Sequence, residues 1–221
     1  MSSFHHGQIL SLLKDSLWRS LETYRDRLPG LRVEVGDPDD HAAFVPAIAE
    51  LMAREEVRGT KGMSGGVGHM GELITRAQVD LEQGTSVLLR TADELVGFAT
   101  IAPWEVEDSR LVEFCSAVVD DPFRGMGLGR LLVDAREVLV LEELIPSGYQ
   151  PISFCNAASA RIYNRDFWQQ VPWHWYRRYP PPVTCKAECQ WDQRSCDCTV
   201  LALDLERIAG LVGARASDLR T

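Results

Sequence analysis

The sequence predicts a mixed α/β (α+β) fold, and three observations carry that expectation. Stretches with apolar residues at steps of three and four alternate with stretches that are apolar at every second position. At 221 residues the chain is long enough for one well-buried core, and a second full domain is not expected. Near its centre the apolar run Leu111 to Val119 leads into Arg124-Gly125-Met126-Gly127-Leu128-Gly129. A helical pattern follows directly through Leu128, Leu131, Leu132, Ala135, Val138 and Leu139, so a strand, a glycine turn and a helix come in that order.

Each element has its own signal. Ile9, Leu10, Leu13, Leu17, Leu21, Tyr24 and Leu28 predict an amphipathic helix over 8–28, ended by Pro29-Gly30. Leu31, Val33 and Val35 alternate with Arg32 and Glu34 as in a half-buried strand. Asp37-Pro38 opens a helix expected to reach about Glu56, with Pro46 kinking or dividing it. Residues 58–71 hold six glycines and read as a long loop, either a surface connection or a substrate-side lid. Met70, Leu73, Ile74, Ala77 and Leu81 give a further helix closed by Gly84. Thr85 to Thr91 and Leu95 to Trp104 form a hairpin, a polar turn lies at 106–109, and the helix after the glycines runs to about Leu144. Tyr149 to Cys155 is a short strand, and Asn156 is placed to cap a helix reaching about Asp166. The aromatic-rich stretch Val171 to Tyr179 reads as a strand, Thr199 to Leu203 as another, and Leu205 to Val212 as a short helix.

Composition excludes some classes. A net charge of −9 argues against a nucleic-acid binder, which normally carries a basic face. No apolar run approaches the ~20 residues of a membrane span. Met1 to His6 lacks the basic and apolar regions of a signal peptide, so a cytoplasmic location is expected. The six cysteines are then reduced unless they bind metal.

The glycine run is the chemical signal. Glycines let the chain turn with no side chain over the amides, and the first amides of the helix lack intrahelical acceptors. With the positive end of the helix dipole, they make a phosphate site, and Arg124 adds a charge beside it. The dinucleotide pattern is out of frame, since position 130 is arginine, and no Gly-Lys-Ser/Thr phosphate loop is present.

Arg124-x-x-Gly127-x-Gly129, directly after Val118-Val119-Asp120-Asp121-Pro122-Phe123, resembles the acetyl-CoA pyrophosphate loop of the GNAT superfamily of N-acetyltransferases. The hairpin Glu94-Leu95-Val96-Gly97-Phe98-Ala99 and the segment Asn156 to Phe167 resemble two further pieces of that family, although Asp166 stands where the family usually has glycine. The resemblance implies a mixed, mostly antiparallel sheet flanked by helices. The matching pieces span about residues 85 to 170; the expected division is a GNAT core over 31–180, between an N-terminal helix at 1–30 and a Cys-rich extension at 181–221 packed on the core, for which the family gives no guide.

The activity implied is transfer of an acetyl group from acetyl-CoA to a primary amine, by direct attack in a ternary complex. The pyrophosphate would lie on Arg124, Gly125, Met126, Gly127, Leu128, Gly129 and Arg130, with Asn156 opening the second cofactor motif. Pantetheine would pair with the strand near Val118 and Val119, and amides near Ala117 would meet the thioester carbonyl. Tyr163 matches the family's usual acid, and Glu113, a carboxylate inside an apolar strand, is the candidate base, ahead of Glu105 and His174. Cys115 and Cys155 read as buried thiols, with an acyl-cysteine at Cys115 as a lesser route. Cys185, Cys189, Cys196 and Cys198 form a candidate structural zinc site, weighed against free thiols. The alternative to an enzyme is a non-catalytic GNAT-like module that binds CoA or a protein through a zinc-stapled C-terminus. The expected partners are acetyl-CoA and an amine, with no nucleic acid or membrane, and the aromatic strand suits a homodimer.

Overall fold

The computed structural model describes residues 3–24, 26–36, 38–57, 74, 77–78, 81–82, 84–106, 109–155, 159–171 and 199–210. The loop expected at 58–71, Asn156, the aromatic stretch beyond Val171 and the four C-terminal cysteines lie outside those residues.

The chain begins with α1 (Ser3–Tyr24), β1 (Arg32–Gly36), a single helical turn α2 (Pro38–His41), a 3-10 turn at Ala42–Phe44 and α3 (Val45–Val57). Strands β2 (Thr85–Arg90), β3 (Leu95–Val106) and β4 (Ser109–Val119) precede α4 (Leu128–Leu139). Then come β5 (Gln150–Cys155), β6 (Trp168–Gln170), β7 (Thr199–Leu203) and α5 over 205–210. The seven strands form one sheet in the order β1-β2-β3-β4-β5-β7-β6. The β4–β5 pair is parallel and the others are antiparallel.

This is the mixed, mostly antiparallel α/β architecture expected from sequence, with three local differences. The long helix expected from Asp37 is divided at Ala42–Phe44, before Pro46, which then sits in the first turn of α3 where its missing N–H costs nothing. The helix expected to run to about Asp166 is a 3-10 turn at Ser159–Ile162. It is followed by a turn in which the Phe167 and Trp168 amides donate to the Asn164 carbonyl and the Asp166 amide donates to Asn164 Oδ1. The end of α4 passes into a π-helical turn, Val140–Leu144, and a 3-10 turn carrying Pro146, because proline removes a helical donor. Part of the C-terminal segment lies inside the sheet, since β7 stands between β5 and β6.

Two layers of helix cover the sheet. On one face α4 is sandwiched between the strands and α1; Ile9 and Leu13 of α1 join Leu131, Leu132 and Val138 of α4, and Val87, Val112 and Phe114 of the strands, in the main core. On the other face Ile48, Ala49 and Met52 of α3 pack with Ala77, Leu81, Leu88, Phe98 and Val118. Strand alternation then assigns the side chains of β4: Val112 and Phe114 face α4, while Leu111, Glu113 and Cys115 face the other way.

Candidate active site

The site is built where β4 and β5 part. Their parallel pairing covers Leu111↔Gln150, Val112↔Pro151 and Glu113↔Ile152, and stops there. β5 continues to Cys155 paired with β7, while β4 continues to Val119 paired with β3. The two strands therefore open into a fork, and among the described residues the edge of β4 that faces β5 carries no ladder beyond Glu113.

A bulge shapes that open edge. The β3–β4 register passes from Thr100↔Cys115 to Phe98↔Val118, so Ser116 and Ala117 together oppose Ala99. Ser116, at the bulge, has a positive φ of 26°. The Asp120 amide donates to the Val96 carbonyl of β3 at 2.8 Å. Alternation along the strand turns the backbone groups of Val119 and Ala117 to the opposite, open edge. The Val119 carbonyl already has a donor there, Arg124 Nε at 3.1 Å.

The glycine loop closes the wide end of the fork. Asp120 caps the 3-10 turn Asp121–Phe123 by accepting the Asp121 amide at 2.8 Å, and its other oxygen pairs with Arg54 of α3 at 2.6 Å. Gly125 and Gly127 have φ of 73° and 90°, and Gly127 is the N-cap of α4. A side chain at 127 is also blocked sterically, since a Cβ there would stand 2.5 Å from the Tyr24 hydroxyl of α1.

The two flanking arginines are engaged by protein groups. Arg124 pairs with Asp121 at 3.1 Å besides its bond to Val119. Arg130 donates to the Ile162 carbonyl at 3.1 Å and pairs with Asp134 at 2.5 Å, which ties α4 to the 3-10 turn at Ser159–Ile162. A cavity of about 450 Å³ beside the loop is lined by Arg19, Tyr24, Arg130 and Asn164, among others.

Two candidate proton-transfer groups meet the narrow end of the fork from opposite faces. On the α4 face the Tyr163 hydroxyl lies 2.6 Å from Ser153 Oγ of β5, and Ser153 donates to the Phe114 carbonyl of β4 at 3.4 Å. Tyr163 is buried against Phe114 and Trp168, and that burial raises its pKa above the usual phenol value, with Arg136 acting the other way. On the opposite face Glu113, 3% exposed, occupies the last paired register position of β4. The weaker base candidate Glu105 stands away from this point, exposed and held by Tyr149 and Arg110. His174 lies outside the described residues.

Of the thiols, Cys155 is buried and its pKa is pushed up to about 12 by desolvation, which makes it inert. Cys115 is partly exposed on the Glu113 face. Among the described residues no group of three or more His, Cys, Asp and Glu is arranged to hold a metal. No described helix is long and apolar enough to cross a membrane.

Three features escaped the sequence reading: Arg136, Ser153 and the buried pair Glu137–Trp168, whose Nε1 donates to Glu137 at 2.6 Å. For Arg136 a signal existed, since it stands four residues from both Leu132 and Val140 on an apolar stripe. Ser153 had none, because a serine in a short strand is commonplace.

Comparison with known proteins agrees with this geometry. Residues 67–170 match the model of the acetyltransferase (GNAT) family. A GNAT-family protein from Chromobacterium violaceum superposes with a TM-score of 0.52 at 18% identity, over 80% of this chain and 89% of its own. The Salmonella typhimurium protein yncA, solved with its cofactor acetyl-CoA, gives 0.51 at 18% identity over 80% and 94%. The ribosomal-protein-alanine N-acetyltransferase of Brucella melitensis gives 0.51 at 16% identity over 77% and 98%. None of the curated proteins compared matches the sequence. The seven-stranded sheet and its flanking helices thus have a GNAT-like fold. Residues 67–170 are similar to the acetyltransferase domain of the GNAT family.

Proposed function

We propose that this chain is an acetyl-CoA-dependent N-acetyltransferase acting on a primary amine. The observation that carries the reading is the fork: β4 loses its β5 partner at Glu113, bulges at Ser116-Ala117, and leads into a loop with two left-handed glycines at a helix N-terminus. An open strand edge suits an amide-bearing chain that pairs as a strand does. A helix N-terminus suits phosphate. Acetyl-CoA has both groups in that order, and it supplies an activated acetyl carbonyl.

The chain's own residues take these roles. Amides of Gly125 to Gly129 receive the pyrophosphate, with Arg124 and Arg130 at its flanks, and the cavity beside Tyr24 has room for the nucleotide end. Open-edge groups of Ala117 and Val119 hold the pantetheine arm, and the Ala117 amide donates to the carbonyl oxygen as charge develops there. Glu113 takes a proton from the amine on one face. Tyr163, on the other face, donates its proton to the departing sulfur. Its raised pKa keeps it protonated at neutral pH.

By the same reading the acceptor determinants lie in residues 58–71 and 172–180, and the four C-terminal cysteines either hold a structural zinc ion or stand as free thiols. Stoichiometric metal in protein purified without added zinc supports the zinc ion, and its absence opposes it. For the main reading, the test is a panel of small amines, amino acids and peptides with acetyl-CoA, read by release of free thiol. Amine-dependent release that follows enzyme concentration is expected; no release with any amine, despite acetyl-CoA binding, favours a binding module.

A further inference from the structure

We propose that Arg136 is a positioning residue for acyl transfer, its guanidinium holding the β4 bulge in the conformation that presents the Ala117 amide to the fork. This rests on the acyl-CoA reading above.

Arg136 lies in the middle of α4 and is 0% exposed. A buried guanidinium is costly unless its donors are used, and an apolar side chain of similar size normally serves a core better. Among the described residues its hydrogen bonds all go to backbone carbonyls. Nε donates to Leu132 at 3.1 Å, and Nη1 donates to Cys115 at 3.0 Å and to Thr100 at 3.4 Å.

Those last two residues are the register pair at which the bulge begins. One guanidinium nitrogen therefore donates to carbonyls of both strands where the extra residue interrupts the regular ladder. The guanidinium also lies 4.7 Å from the centre of the Phe114 ring, and the Phe114 carbonyl accepts from Ser153 at the mouth of the fork. Arg136 thus grips β4 at Phe114 and Cys115, the two residues just beyond the point where pairing with β5 ends. Its Nη2 is buried without a hydrogen-bond partner among the described residues. A residue kept for stability alone fits that poorly, because an unmade buried bond is a net loss.

The test compares acetyl-CoA and CoA, which differ by the acetyl group that meets the bulge amide. Dissociation constants for both are measured on the full chain, on Arg136→Met and on Arg136→Lys. Wild type is expected to prefer acetyl-CoA. Arg136→Met is expected to weaken acetyl-CoA binding about fivefold, as for one lost hydrogen bond, with CoA binding held within about twofold. Arg136→Lys, which reaches one carbonyl but not two, falls between. Equal losses for both ligands mark a merely structural side chain and overturn the proposal, as does no loss at all or a wild type without preference. If Arg136→Met does not fold, the same comparison on Arg136→Lys decides. Wild-type protein that binds neither ligand overturns the acyl-CoA reading itself, and the role of Arg136 with it.

Discussion

The Tyr163 hydroxyl and Ser153 Oγ are 2.6 Å apart, and Ser153 passes its own hydrogen to the Phe114 carbonyl at the mouth of the fork. That arrangement suits the phenol as the donor of the pair. Tyr163→Phe removes the donor and leaves the ring packed on Phe114 and Trp168. We expect kcat to fall about a hundredfold with acetyl-CoA affinity nearly unchanged, the usual size of a lost general acid. Steady-state kinetics beside a binding titration checks both halves.

Glu113 faces away from Tyr163 across the sheet, on the side where β4 carries no α4 contact. Glu113→Gln keeps its volume and hydrogen-bonding oxygen but cannot take a proton. Turnover is expected to drop about a hundredfold or more, again with cofactor affinity retained. Partial recovery at raised pH, where the amine arrives already deprotonated, separates a lost base from a misfolded site.

Gly127 is constrained twice, by its φ of 90° and by Tyr24. Gly127→Ala is expected to destabilise the fold by roughly 2 kcal/mol and to weaken acetyl-CoA binding, since left-handed strain and a clash add. Shortening the neighbour in Tyr24→Ala, Gly127→Ala relieves the clash but not the strain. In a double-mutant cycle by chemical denaturation the double variant is therefore less destabilised, by about 1 kcal/mol, than the two single variants summed.

Glu137 is fully buried, and desolvation raises its pKa from 4.5 to about 7 against the opposing pull of Arg130. A carboxyl raised in the folded state binds its proton more tightly there than when unfolded. Its contribution is complete below about pH 4.5 and is lost as pH rises through about 7. The full effect is of the order of 3 kcal/mol. Glu137→Gln keeps the bond from Trp168 and removes the titration, so its stability falls less steeply than wild type between these limits. Asp134, also raised by burial, leaves a residual slope of the same sign in both proteins. Denaturation midpoints across this pH range give the comparison.

Much of this fold was legible because its elements obey simple periods. The strand–loop–helix around Gly125 to Gly129 is local, and glycine spacing reports it directly. β7 was recognisable as a strand from Thr199 to Leu203, but its place between β5 and β6 depends on pairing at long range. The helix expected to reach Asp166 failed for a local reason: Asn164 captures the backbone of the next turn. The fork could be foreseen only through the family resemblance, since nothing in Leu111 to Val119 says where pairing with β5 ends. Arg136 left a trace as a charge on an apolar stripe, yet its partners are backbone carbonyls that no side-chain pattern encodes.

In the proposed function the open edge of β4 receives the cofactor. Amide hydrogen exchange with and without saturating acetyl-CoA tests it directly. Ala117 and Val119 are expected to slow by about tenfold or more, together with the loop amides of Gly125 to Gly129, while ADP slows the loop alone. Protection confined to the loop with acetyl-CoA, or no protection at either place, would contradict it.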